Sequence, residues 1–113
     1  MEVDPIGDDR GHIQPGDRLV LIVEDDVPFA RILFDLAHDC GYKAIVTVEG
    51  GAAVALARQY QPSAITLDIN LPDSDGWTVL DRLKHDPDTN HIPVHVISVA
   101  DGRHRALTQG ALG

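Results

Sequence analysis

The 113-residue chain carries one cysteine, Cys40, so no internal disulfide can form and the usage suits a reducing compartment. Aromatic residues make up 4% of the sequence, too few for platforms on which nucleic-acid bases stack. Basic residues are also scarce. Nine Lys and Arg stand against eighteen Asp and Glu, a formal net charge of -9, whereas a nucleic-acid surface needs a basic face. The only lysines are Lys43 and Lys84. No apolar run approaches the ~18 residues that cross a bilayer, and no signal peptide is evident. These shortages predict a cytoplasmic domain that binds neither nucleic acid nor membrane.

Apolar content is 43% with a mean hydropathy of -0.08, which suits one folded domain with a real core rather than a disordered chain. Residues 1–16 are rich in Asp, Gly and Pro without periodicity and read as a tail or linker, leaving 17–113 as the folded domain. Two apolar, β-branched runs follow, Leu19-Val20-Leu21-Ile22-Val23 and Ala64-Ile65-Thr66-Leu67. They read as strands buried on both faces of a parallel sheet. A weaker strand is predicted at 42–47 and a further strand at 94–98.

Helices are predicted at 28–40, 50–60 and 76–85, with a last helical piece at 102–110. Asp26 is placed to cap the first helix, with Pro28 in its first turn and Gly41 at its end. Phe29, Ile32, Leu33, Leu36, Ala37 and Cys40 form its apolar stripe, with Cys40 read as core. The alternation of strands and helices predicts an α/β sandwich around a parallel sheet, with right-handed crossovers placing helices on both faces.

The chemistry gathers at strand ends. Glu24 and Asp25 follow the first run and Asp68 ends the other. Ligand groups in parallel sheets collect at the carboxyl ends of strands where the connection order reverses, so the two ends predict one acidic pocket. Crowded carboxylates stay ionised together mainly when a cation shares the site. All-oxygen donors favour a hard divalent ion, Mg²⁺ first. Gly50-Gly51 has neither a P-loop lysine nor Rossmann spacing, and the six histidines show no ligand spacing.

Three motifs now stand in order. They are Val23-Glu24-Asp25-Asp26, then Leu67-Asp68-Ile69-Asn70-Leu71-Pro72 with Asp75-Gly76, then Ile92-Pro93-Val94 through Ser98. Together they resemble response-regulator receiver domains, which are CheY-like, over about residues 18–113. The resemblance implies a flavodoxin-like three-layer α/β sandwich with parallel strand order 2-1-3-4 over this stretch. It implies Asp68 as phosphoacceptor, taking a phosphoryl group from a phosphohistidine on a histidine kinase or phosphotransfer domain. Asp25, Asp68 and the backbone carbonyl of Asn70 would ligate Mg²⁺, with Glu24 reaching it through water. Ser98 would hydrogen-bond the phosphoryl oxygen and act as the switch. The implied protein is a signalling domain that assists only its own phosphorylation and dephosphorylation, not an enzyme with a separate substrate.

One departure stands out. The family uses a lysine at the end of a fifth strand, and neither Lys43 nor Lys84 lies there. The resemblance therefore predicts a receiver stopped before strand 5, with strand 5 and helix 5 missing. Its Asp-rich lead resembles the linker before receivers of hybrid sensor kinases. Strand 4 would then be an exposed edge, and a homodimer through the strand 4/helix 4 side is expected. The rival readings are a degenerate pseudo-receiver that acts by dimerisation without phosphate, and a flavodoxin-like FMN carrier. The FMN carrier needs a hydroxyl-rich phosphate loop where this chain has acids.

Overall fold

The computed structural model describes residues 6–71, 75–100 and 104–108, the backbone path alone for 98–100 and 104–108. Eight elements follow in order: β1 (Leu19–Val23), α1 (Val27–Asp39), β2 (Lys43–Thr47), α2 (Gly50–Tyr60), β3 (Ala64–Asp68), α3 (Gly76–His85), β4 (Val94–Ala100) and β5 (His104–Thr108). The sheet order is β2-β1-β3-β4-β5. The first four strands are parallel, in the order 2-1-3-4 that the resemblance implies, and β5 runs antiparallel to β4.

The period of two along each strand divides the core between two faces. Leu19, Leu21, Val23, Ile45, Ile65, Leu67, Val94 and Val96 face one way, against Ala53, Val54, Leu56 and Ala57 of α2 and Val79 and Leu83 of α3. Val20, Ile22, Ala44 and Val46 face the other way, against Ala30 and Phe34 of α1, with Leu33 and Ala37 alongside. The starts of α1 and α3 are capped by acids, whereas Glu49 before α2 makes no side-chain cap bond. The Asp26 carboxylate accepts from Phe29 N at 3.0 Å, and the Asp75 carboxylate from Trp77 N at 2.9 Å.

Three expectations are corrected. Within the helix predicted at 102–110, the described residues His104–Thr108 form a strand paired with Val96–Ala100. It satisfies the backbone groups of β4, which a helix there would have left open. A further, antiparallel strand that was not expected thus covers β4, which is not an edge. The premise of a dimer through an open strand 4 falls with it. On α1 the buried positions are Ala30 and Phe34, while Ile32 and Leu36 are 53% and 54% exposed and Cys40 is exposed rather than core. The helix rests over β1 and β2. Leu33, Leu36, Ala37 and Cys40 instead look toward β3 and β4 across an open groove of about 360 Å³, floored by Val20, Ile22, Thr66, His95 and Ile97.

The leading segment, read as a tail or linker, is docked over residues 6–17. Ile6 packs beside the α1 cluster and Ile13 against the opposite one.

Candidate functional site

Glu24 continues the line of β1, its N–H donating to Thr47 O at 2.9 Å. That bond turns the Glu24 side chain into the protein, where the residue is 1% exposed. Its carboxylate accepts from Asp26 N at 3.2 Å. Asp25 comes next and is exposed at the mouth. Asp26 is spent on capping α1, and so lies outside the cluster.

Asp68 ends β3, paired in register with Ile97 of β4, and is 3% exposed. Its Oδ1 accepts from Asn70 N at 3.1 Å. The carboxylate oxygens of Glu24, Asp25 and Asp68 converge, one from each lying within 4.8 Å of the others. The three acids predicted from the two strand ends therefore form one pocket.

The charges in it are strained against one another. The Asp25 carboxyl titrates above its ordinary 3.8, first because it is partly desolvated, then because Asp68 hydrogen-bonds and repels it, with Asp26 adding repulsion. Two nearly buried acids and a third whose ionisation is disfavoured by its neighbours make an all-oxygen donor set with excess negative charge. Such a set fits Mg²⁺, and the exposed side of Asp25 leaves room for the waters that this ion retains. The backbone carbonyl of Asn70 belongs to the same loop.

The loop after Asp68 is fixed from α3. Asn70 bridges to Asp75, and Gly76 N donates to Ile69 O at 2.8 Å. A Cβ on Gly76 would sit 2.5 Å from both Asp68 O and Ile69 Cα. Only glycine permits this approach, a role that sequence reasoning missed although Asp75-Gly76 belonged to its motif. The signal was present: a glycine right after an acidic cap, where a helix starts against a strand end. Pro72, Asp73 and Ser74 lie outside the described residues.

Ser98 follows Ile97, the register partner of Asp68, and pairs through its backbone with Ala106. It lies two residues before the end of β4, and its hydroxyl lies outside the described side chains. Both lysines are engaged elsewhere. Lys43 pairs with Asp17 at 2.7 Å, and Lys84 donates to Ile92 O at 2.9 Å.

A family model described as the response regulator receiver domain matches residues 20–113. The chain belongs to the response-regulator receiver family. The receiver is 38% identical over 84 residues to the response regulator PleD of Caulobacter vibrioides (strain NA1000 / CB15N), a match covering 74% of this chain and 18% of PleD. It is 39% identical over 79 residues to the polar-differentiation response regulator DivK of Brucella anthropi, covering 70% of this chain and 64% of DivK. The receiver thus spans less than two thirds of either relative. Among solved structures, the Mn(2+)-bound form of response regulator Rcp1 superposes with a TM-score of 0.66 at 32% identity, covering 76% of this chain and 68% of that one. Membership places this receiver in two-component signalling with a phosphoacceptor role. Among the described residues no helix is long and apolar enough to cross a membrane.

Proposed function

We propose that this receiver takes a phosphoryl group onto Asp68 from the phosphohistidine of a histidine kinase or phosphotransfer domain, in a Mg²⁺-dependent step. The observation that carries the reading is the convergence of Glu24, Asp25 and Asp68 within 4.8 Å at the ends of adjacent parallel strands. The Mn(2+)-bound state of the related Rcp1 supports a divalent ion here.

A carboxylate oxygen of Asp68 attacks phosphorus as the bond from phosphorus to the histidine nitrogen breaks, leaving a mixed aspartyl phosphate. The hydrogen bond from Asn70 N to Oδ1 fixes the Asp68 carboxylate and leaves the second oxygen as the nucleophile. Asp25, Asp68 and the Asn70 carbonyl would hold Mg²⁺, with Glu24 acting through water. Bound there, the ion supplies positive charge to offset the equatorial phosphoryl oxygens. Asp25 and Glu24 thereby give up their role as repellent neighbours of Asp68. Ser98, one residue past the register partner of Asp68, donates its hydroxyl to the phosphoryl group and passes its arrival to the chain beyond β4.

The engagement of both lysines away from the pocket favours a second reading, a pseudo-receiver that acts without phosphate. Acetyl phosphate with Mg²⁺ separates the two. The proposed function predicts a gain of one phosphoryl mass mapped to Asp68, absent with EDTA and absent in Asp68→Asn. An unmodified chain under these conditions supports the pseudo-receiver.

A further inference from the structure

β2 is the outer strand of the sheet on the side opposite β5. Lys43 N bonds to Arg18 O, and Thr47 O accepts from Glu24 N, so these residues serve β1. The alternate residues Ala44 and Val46 turn their N–H and C=O groups away from the sheet. Four open backbone groups on a buried apolar strand are a template for another strand.

All four are satisfied by the leading segment, mostly through side chains. The Asp8 carboxylate accepts from Val46 N at 2.7 Å, and Arg10 Nη2 donates to Val46 O at 2.7 Å. Arg10 also donates to Asp8 through Nε at 3.0 Å and Nη2 at 2.9 Å, closing the pair into one clamp. The Asp8 side chain is 0% exposed. The Asp9 carboxylate accepts from Ala44 N at 2.9 Å, and Asp9 N donates to Ala44 O at 3.1 Å. The clamp is tied down at three further points. Arg31 donates to Ile6 O at 3.2 Å, His38 Nε2 lies 2.6 Å from Asp9, and Lys43 holds His12 O and Asp17.

A docked β-strand would have met these groups with backbone alone. Here one backbone bond and three side-chain bonds do so, and they end after Asp8, Asp9 and Arg10. We infer that residues 6–17 are an intramolecular guard: two aspartates and an arginine close the β2 edge, and without them β2 pairs with β2 of a second copy. The second copy is the occupant favoured by symmetry and charge. An antiparallel pair centred on Ile45 sets Ala44 against the partner's Val46, exchanging the same four groups on both chains. It also brings Lys43, released from Asp17, toward the partner's Glu49, an exposed acid just past the far end of β2.

The test is sedimentation of the full chain beside Asp8→Ala/Asp9→Ala. The parent is expected to remain monomeric from micromolar to submillimolar concentration, and the double variant to dimerise with rising concentration. Adding Ala44→Pro removes one outward N–H and should abolish that dimer. A folded double variant that stays monomeric overturns the inference, as does a dimer that survives Ala44→Pro. Hydrogen exchange on the parent decides the matter should the double variant not fold. The Ala44 and Val46 amides should then exchange on the order of tenfold faster than Ile45, which pairs toward β1, because the guard opens without the sheet. Exchange of all three only on global unfolding would make the segment an inseparable part of the fold and overturn the guard.

Discussion

At the residue scale, the pocket stores repulsion that a cation removes, and pH should expose it. Asp25 titrates above 3.8 in the folded chain, so the metal-free fold holds that proton more tightly than the unfolded chain does. The resulting stabilisation is present in acid and is lost as pH rises through the window between 3.8 and the raised value. In EDTA, Asp25→Asn should therefore gain in urea midpoint over the parent as pH climbs above that window, and the two should converge in acid. Mg²⁺ should reverse the ranking at neutral pH. Gly76 sets the second expectation at this scale. Gly76→Ala forces a methyl into the backbone at Asp68 and Ile69, an overpacking that costs about 1–3 kcal/mol. A Mg²⁺ titration followed through Trp77, 46% exposed in the first turn of α3, should show weaker binding in this variant. The acids themselves were legible in the sequence because strand ends are easy to place. The steric demand on Gly76 was not, since it arises only when α3 and β3 meet in space.

At the scale of elements, the first four strands and the three helices followed from periodicity and caps. Their ends fell within two residues of the predicted ones, as for α1 at Val27–Asp39 against 28–40 and β4 at Val94–Ala100 against 94–98. Which side of α1 is buried did not follow. Residues 29, 32, 33, 36, 37 and 40 and residues 30, 33, 34 and 37 both satisfy helical spacing, and only the position of the sheet chooses between them. The choice has a measurable consequence. Phe34→Ala should cost about 3–5 kcal/mol in urea unfolding, as for a buried aromatic. Ile32→Gln should cost under about 0.5 kcal/mol, as for a surface site. Asp26→Ala removes the α1 cap and should cost about 1 kcal/mol, with Mg²⁺ affinity disturbed far less than by Asp25→Ala.

At the scale of the whole molecule, the sheet is a platform that brings two strand ends together, and the edges decide what else the chain can do. Both edges escaped the sequence reading for physical reasons. The 102–110 segment has only the adjacent apolar pair Ala106-Leu107, which selects no period, and the open backbone of β4 recruits His104–Thr108 as β5. Residues 6–17 lack periodicity because they dock through carboxylates and a guanidinium on backbone groups, contacts that leave no repeating pattern. The interior platform, in contrast, was legible because parallel strands buried on both faces are continuously apolar.

On the proposed function, the acidic trio and the Asp68 nucleophile form one Mg²⁺-dependent phosphoryl-accepting site. Beryllofluoride, a mimic of the phosphoryl group, tests it most directly by fluorine NMR. Bound fluorine resonances should appear with Mg²⁺, vanish with EDTA, and be absent in Asp68→Asn and Asp25→Asn. Bound resonances without Mg²⁺, or in Asp68→Asn, would contradict the account.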